Sequence, residues 1–160
     1  MDTAKNTGIS TKKKNLKIIL FGRPATKKNG SRIMRRGKAT RLLPSEAFVK
    51  YENECLWQLK RYQKYKFELP IRIQCIYYLP NKANYPDLVG LMQATADILE
   101  KAQVIENDRL IVSWDGTYIS PTLDKLNPRV EVIITDMNDV DTPDPYVIKK
   151  RAAKMQLGLF

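Results

Sequence analysis

The chain predicts an α+β fold, with a small mixed sheet of about four strands packed with two main helices, a basic loop and flexible termini. Three observations lead there. Short β-branched runs at LKIILF, IRIQCIYYL, RLIV and RVEVIIT have the length and residue types of strands. Two longer segments, 45–65 and 86–102, repeat their apolar residues at helical spacing. The 160 residues suit one domain with tails, long enough to bury a core without disulfides or structural metal.

Taken in order, residues 1–14 are polar and basic without periodicity, which predicts a disordered tail. A first strand starts at Leu16 and ends at Gly22. Next comes GRPATKKNGSRIMRRGKATRLLPS, a long loop carrying Arg23, Lys27, Lys28, Arg32, Arg35, Arg36, Lys38 and Arg41. A compact domain rarely keeps such a loop without a use for it. Its glycines let backbone N–H groups approach phosphates, and its guanidinium groups suit bidentate phosphate contacts. The alternative is a basic β-hairpin that is only solvated.

Ser45 as N-cap and Glu46 in the first turn open a helix, with Phe48, Val49, Glu52, Leu56, Leu59 and Tyr62 near one stripe, running to about residue 65. Pro70 closes the connection, and Ile71, Ile73, Cys75 and Tyr77 alternate in a second strand. Residues 80–84 form a loop aimed at Asp87, with Lys82 its only cation. Pro86 and Asp87 start the central helix, because proline fits a position that needs no N–H donor and an acid complements the positive end of the dipole. The helix runs to about residue 102, and a third strand follows from Arg109. Asp115-Gly116 reads as a bulge or turn, 120–128 as a polar turn region, and 129–135 as a final strand paired with the third. An acidic linker, DMNDVDTPDP, and a short basic helix over 146–155 complete the chain. The domain reading is therefore a tail over 1–14, a folded unit over 15–137, and a linker with a C-terminal tail over 138–160.

Composition removes several chemistries. With no histidine, Ser-His-Asp, Cys-His and His-metal sites are excluded, leaving carboxylates, lysines, tyrosines or a metal-bound water. Cys55 and Cys75 lack CxxC spacing and read as reduced, buried thiols. No apolar run approaches a membrane span and the first residues lack the apolar core of a secretory signal, so no membrane partner and a cytoplasmic location are expected. Residues 1–50 hold 14 Lys/Arg against 2 Asp/Glu, and the rest of the chain is nearly balanced. So concentrated an excess points to a polyanion, with binding that weakens steeply as salt rises.

Asp87, Asp97 and Asp108 are the candidate catalytic and metal-binding acids. Asp87 opens a helix and Asp108 a strand, and the expectation is that these two starts meet in space. Clustered carboxylates are the usual oxygen cage for Mg²⁺, which would polarise a phosphate and activate a water. Lys82 or a loop cation would offset charge developing on the phosphate. Read singly, Asp87 is equally a capping acid, Asp108 a turn residue, and Asp97 an acid satisfied by a structural partner.

The order of strand, basic loop, helix, strand, PDL helix with ADILEKA and then VIENDRLIV, over about residues 16–135, resembles the RusA family of Holliday junction resolvases found in phages and prophages. The resemblance implies a homodimer that binds four-way or otherwise branched DNA on a basic face and cuts phosphodiester bonds with Mg²⁺ held by aspartates. Asp87 matches the family's first acid, Asp108 the acid after the central helix and Asp97 an acid within it. Val89 and Gln93 stand where the family carries a second acid and a lysine, and Gly90 where it carries asparagine. Those departures imply weaker activity, a site rebuilt with Asp97 or Asp115, or a protein that binds junctions without cutting them. An RNA-binding protein with a basic arm is a third expectation.

The end of the chain, Gln156-Leu157-Gly158-Leu159-Phe160, resembles the pentapeptide that docks on the bacterial sliding clamp. Gln156 would make the polar contacts, with Leu157, Leu159 and Phe160 supplying apolar ones.

Overall fold

The computed structural model describes residues 15–28, 32–137 and 142–158; the expected disorder of 1–14 falls outside them. Strand β1 (Asn15–Phe21) buries Leu16, Ile18 and Leu20 on one side. The long loop contains a hairpin, β2 (Arg32–Arg36) and β3 (Ala39–Leu43), which forms its own two-stranded sheet. Helix α1 (Glu46–Leu59) is capped as expected, the Ser45 hydroxyl accepting the Phe48 N–H at 3.1 Å. A 3-10 segment, Lys60–Tyr65, continues it.

Strand β4 (Ile71–Tyr78) leads into α2 (Leu88–Lys101), a 3-10 turn at Asp108–Leu110 and the short β5 (Ile111–Ser113). After these come β6 (Tyr118–Ile119), β7 (Arg129–Asp136) and α3 (Pro145–Gln156). The main sheet has the order β1-β7-β4-β5, with β6 also alongside β4. Strand β7 is antiparallel to both β1 and β4, whereas β5 and β6 run parallel to β4.

The α+β class is as expected, with five strands in the sheet where about four were predicted. The extra strand arises because Asp115-Gly116 turns the chain between β5 and β6. Gly116 has φ +80°, and a Cβ there would lie 2.9 Å from Gln74 Nε2. The final strand does not pair with the third. Three residues of β5 offer too short a ladder, while the eight of β7 carry Val130, Val132 and Ile134 into the core between two long neighbours.

One face of the sheet holds the core. Ile18, Ile73, Cys75, Tyr77, Val132 and Ile134 point to it and are buried, and α1 and α2 bring Phe48, Cys55, Leu59, Leu91, Ile98 and Leu99 against them. Burial pushes both the Cys55 and Cys75 thiols up to about 12, so they pack as small apolar groups. The Tyr77 hydroxyl bonds Thr95 Oγ1 at 2.7 Å and ties α2 to the sheet. Between the parallel strands β4 and β5, α2 returns the chain along the sheet, so the start of α2 and the start of β5 lie at opposite ends of it.

Candidate functional site

The hairpin presents five of the predicted DNA-binding cations. Arg32, Arg35, Arg36, Lys38 and Arg41 are all exposed, with no acid among residues 32–43. Gly37, at φ +63°, occupies the first position of the two-residue turn that joins Arg36 to Ala39. Side chains alternate along each strand, so Arg35 shares one face with the Ile33/Leu42 pair while Arg32, Arg36 and Arg41 occupy the other. Ile33 and Leu42 are exposed too. The arm is thus cationic on both faces. Arg32 also pairs with Glu46 at 2.6 Å, which anchors the arm to the start of α1.

The cations before the hairpin have other partners. Arg23 donates to the carbonyl of Ala83 and holds the 80–84 loop. Lys27 pairs with Asp97 on α2 at 2.8 Å. Lys28 and Lys82 are exposed. The predicted cationic set therefore divides into an outward arm of five, two residues that brace the arm's root, and the exposed Lys28 and Lys82.

Asp87 is the N-cap of α2, its Oδ2 accepting the Gly90 N–H at 2.8 Å. A Cβ on Gly90 would meet Asp87 Oδ1 at 2.7 Å and Thr26 Cγ2 at 3.0 Å, which explains glycine at that place. Asp97 is partly buried, with its carboxylate paired to Lys27. Asp108 heads the 3-10 turn, and its backbone N–H bonds the Glu100 carboxylate.

Those positions correct the expected convergence of Asp87 and Asp108. Asp87 lies 13 residues before Glu100 on one helix, about 20 Å at the α-helical rise. The helix starts at one end of the sheet and β5 at the other, so a single chain holds the two acids far beyond the reach of one Mg²⁺, whose ligands stand at about 2 Å. Asp97 and Asp108 are instead linked through Glu100, an acid outside the predicted trio. Burial raises the Glu100 carboxyl above its usual range, and the charges of Asp108 and Asp97 raise it further. Its place three residues after Asp97 on a helix was the available signal. Among the described residues no three acidic or sulfur side chains gather closely enough to hold a metal ion.

Val89 and Gln93 are exposed on α2, with Val89 71% accessible. Asp115 is exposed in the turn between β5 and β6, its N–H bonded to Ser113 Oγ at 3.2 Å.

The short basic helix expected over 146–155 is α3, and it is docked on the folded unit. Val147 of α3 is fully buried, Asp144 caps the helix and pairs with Arg109 at 2.6 Å, and Lys150 and Lys154 bond Glu106 and Glu68. Gln156 is the last residue of α3 and Leu157 is exposed, while Leu159 and Phe160 lie outside the described residues. Among the described residues no helix is long and apolar enough to cross a membrane.

No protein-family model matches the chain, and no curated protein matches it closely enough to count as a relative.

Proposed function

We propose that this chain binds branched DNA through its β2–β3 arm and acts there as a structure-specific endodeoxyribonuclease of the RusA type, resolving Holliday junctions as a homodimer. The observation that carries the reading is a two-faced, acid-free cationic hairpin whose root is fastened by Lys27 to Asp97, on the helix that bears the candidate acids. A two-stranded ribbon is an element that the DNA major groove admits, and guanidinium groups on both its faces suit two backbones that converge.

DNA binding rests on that arm, and cutting on the resemblance of the PDL helix and VIENDRLIV to the family. One chain keeps Asp87 and Asp108 a helix length apart, so a site that uses both takes them from two chains. A second reading, a junction-binding protein that does not cut, is favoured by Val89 and Gln93, exposed where the family has an acid and a lysine. The C-terminal pentapeptide would tether either form to the sliding clamp.

The test is incubation of four-way, flap and linear DNA with and without Mg²⁺. The first reading expects Mg²⁺-dependent cleavage of the four-way substrate that Asp87→Asn and Asp108→Asn abolish with gel-shift binding intact. Tight, structure-selective binding without cleavage selects the second reading. Loss of selectivity for branched over linear DNA overturns both. Deleting 156–160 should remove clamp binding and leave junction affinity unchanged.

A further inference from the structure

A cleft of about 540 Å³ opens at the root of the arm, between the segment after β1, the first turns of α1 and the residues before α2. Its volume suits one nucleotide, within the usual range of small-ligand sites. Tyr85 stands at its rim, half-exposed, and the ring of Tyr51 is buried in its wall. Arg23 supplies positive charge, Lys50 a further cation at 4.0 Å from Glu54 Oε1, and Glu54 a second carboxylate oxygen able to accept from base amino groups. Thr26 also lines the cleft; it is 1% exposed, and its hydroxyl is buried with no hydrogen-bond partner among the described residues. Such a group is costly to leave unmade.

We infer that this cleft holds a single nucleotide unit, with the base against Tyr85 and the phosphate toward Arg23 and Lys50. Four features agree on that ligand: size, a ring at the mouth, cations of opposite sign to phosphate and a carboxylate for the base edge. Ser45, which follows the hairpin's return strand and caps α1, lines the cleft as well, so the cleft opens beside the base of the arm. Bases at a branch point lack one stacking neighbour and are extruded at lower cost than bases within a duplex. The site would thus read the branch itself. This source of the nucleotide rests on the proposed DNA-binding function; a free mononucleotide offers the same chemistry.

The experiment places 2-aminopurine at the branch point of a four-way junction and, separately, titrates the full-length protein with dAMP. Ala47→Phe, at an exposed helical position on the cleft, fills the space without touching the arm. Tyr85→Ala removes the ring, and circular dichroism checks that both variants fold. A fluorescence rise on junction binding that both variants lose, with duplex affinity unchanged, supports an extruded nucleotide. Saturable dAMP binding that Ala47→Phe weakens by about tenfold or more, without a 2-aminopurine signal, supports a free nucleotide instead. Absence of both, or signals equal in wild type and Ala47→Phe, overturns the inference. Failure to bind any junction overturns the proposed DNA function separately, and the dAMP titration still decides the cleft.

Discussion

Among single residues, the start of α2 shows how packing alone can call for a glycine. Gly90 leaves room for Asp87 to cap the helix while Thr26 packs over it. Alanine usually gains nearly 1 kcal/mol over glycine in a helix, but here its Cβ would strike both neighbours. Gly90→Ala is expected to destabilise the protein by about 1–2 kcal/mol, since overpacking and a weakened cap outweigh propensity. Chemical denaturation measures it, and a stabilised variant would contradict the packing. Glu100 carries a pH signature. Its folded carboxyl is raised by burial, then by Asp108 and Asp97, so the native state binds its proton more tightly than the unfolded chain. Stability contributed by this group is complete below the unfolded carboxylate range and falls as pH rises through the interval up to the raised folded value. Glu100→Gln should flatten that fall in a series of melts across the mildly acidic range, whereas an unchanged slope would remove Glu100 as its source.

Among the elements, the hairpin is the part whose chemistry is most separable from the core. None of its residues is buried, so substitutions there change the surface and leave packing alone. Replacing Arg35 and Arg36 together by alanine should weaken DNA binding on every sequence and reduce the salt slope by about 2, one for each phosphate no longer neutralised, without moving the melting temperature. An unchanged salt slope would place the DNA elsewhere. Helix α3 makes the opposite point. A short basic helix was legible from residues 146–155, but its docking depends on Val147 and on acids contributed by distant positions, Glu68 and Glu106.

For the molecule as a whole, the distance between Asp87 and Asp108 turns a question of chemistry into one of assembly. If the two acids serve one site, each site draws Asp87 from one chain and Asp108 from its partner. Asp87→Asn and Asp108→Asn, each inactive alone, should then complement when mixed: half the dimers are mixed, and each of those has one intact site of two, restoring about a quarter of wild-type cleavage. Junction cleavage after subunit exchange reads this directly. Absence of complementation between variants that exchange would rule out a composite site.

The elements were legible in the order of amino acids alone, because period, caps and turn residues act locally. Ser45 caps the helix that was read from it, Asp87 caps α2 with Pro86 ahead of the helix instead of in its first turn, Asp115-Gly116 turns the chain, and the alternation of Ile71, Ile73, Cys75 and Tyr77 marks the buried face of β4. The cationic arm was legible too, since charge density survives any fold. Which of those cations face outward, which strands are neighbours and which acids meet emerged only from the packed chain. Lys27 and Arg23 could be assigned to Asp97 and Ala83 only once β1 and α2 were packed together. Asp87 and Asp108 parted because β5 runs parallel to β4, and strand direction depends on interactions between segments far apart in the chain, on which local patterning is silent.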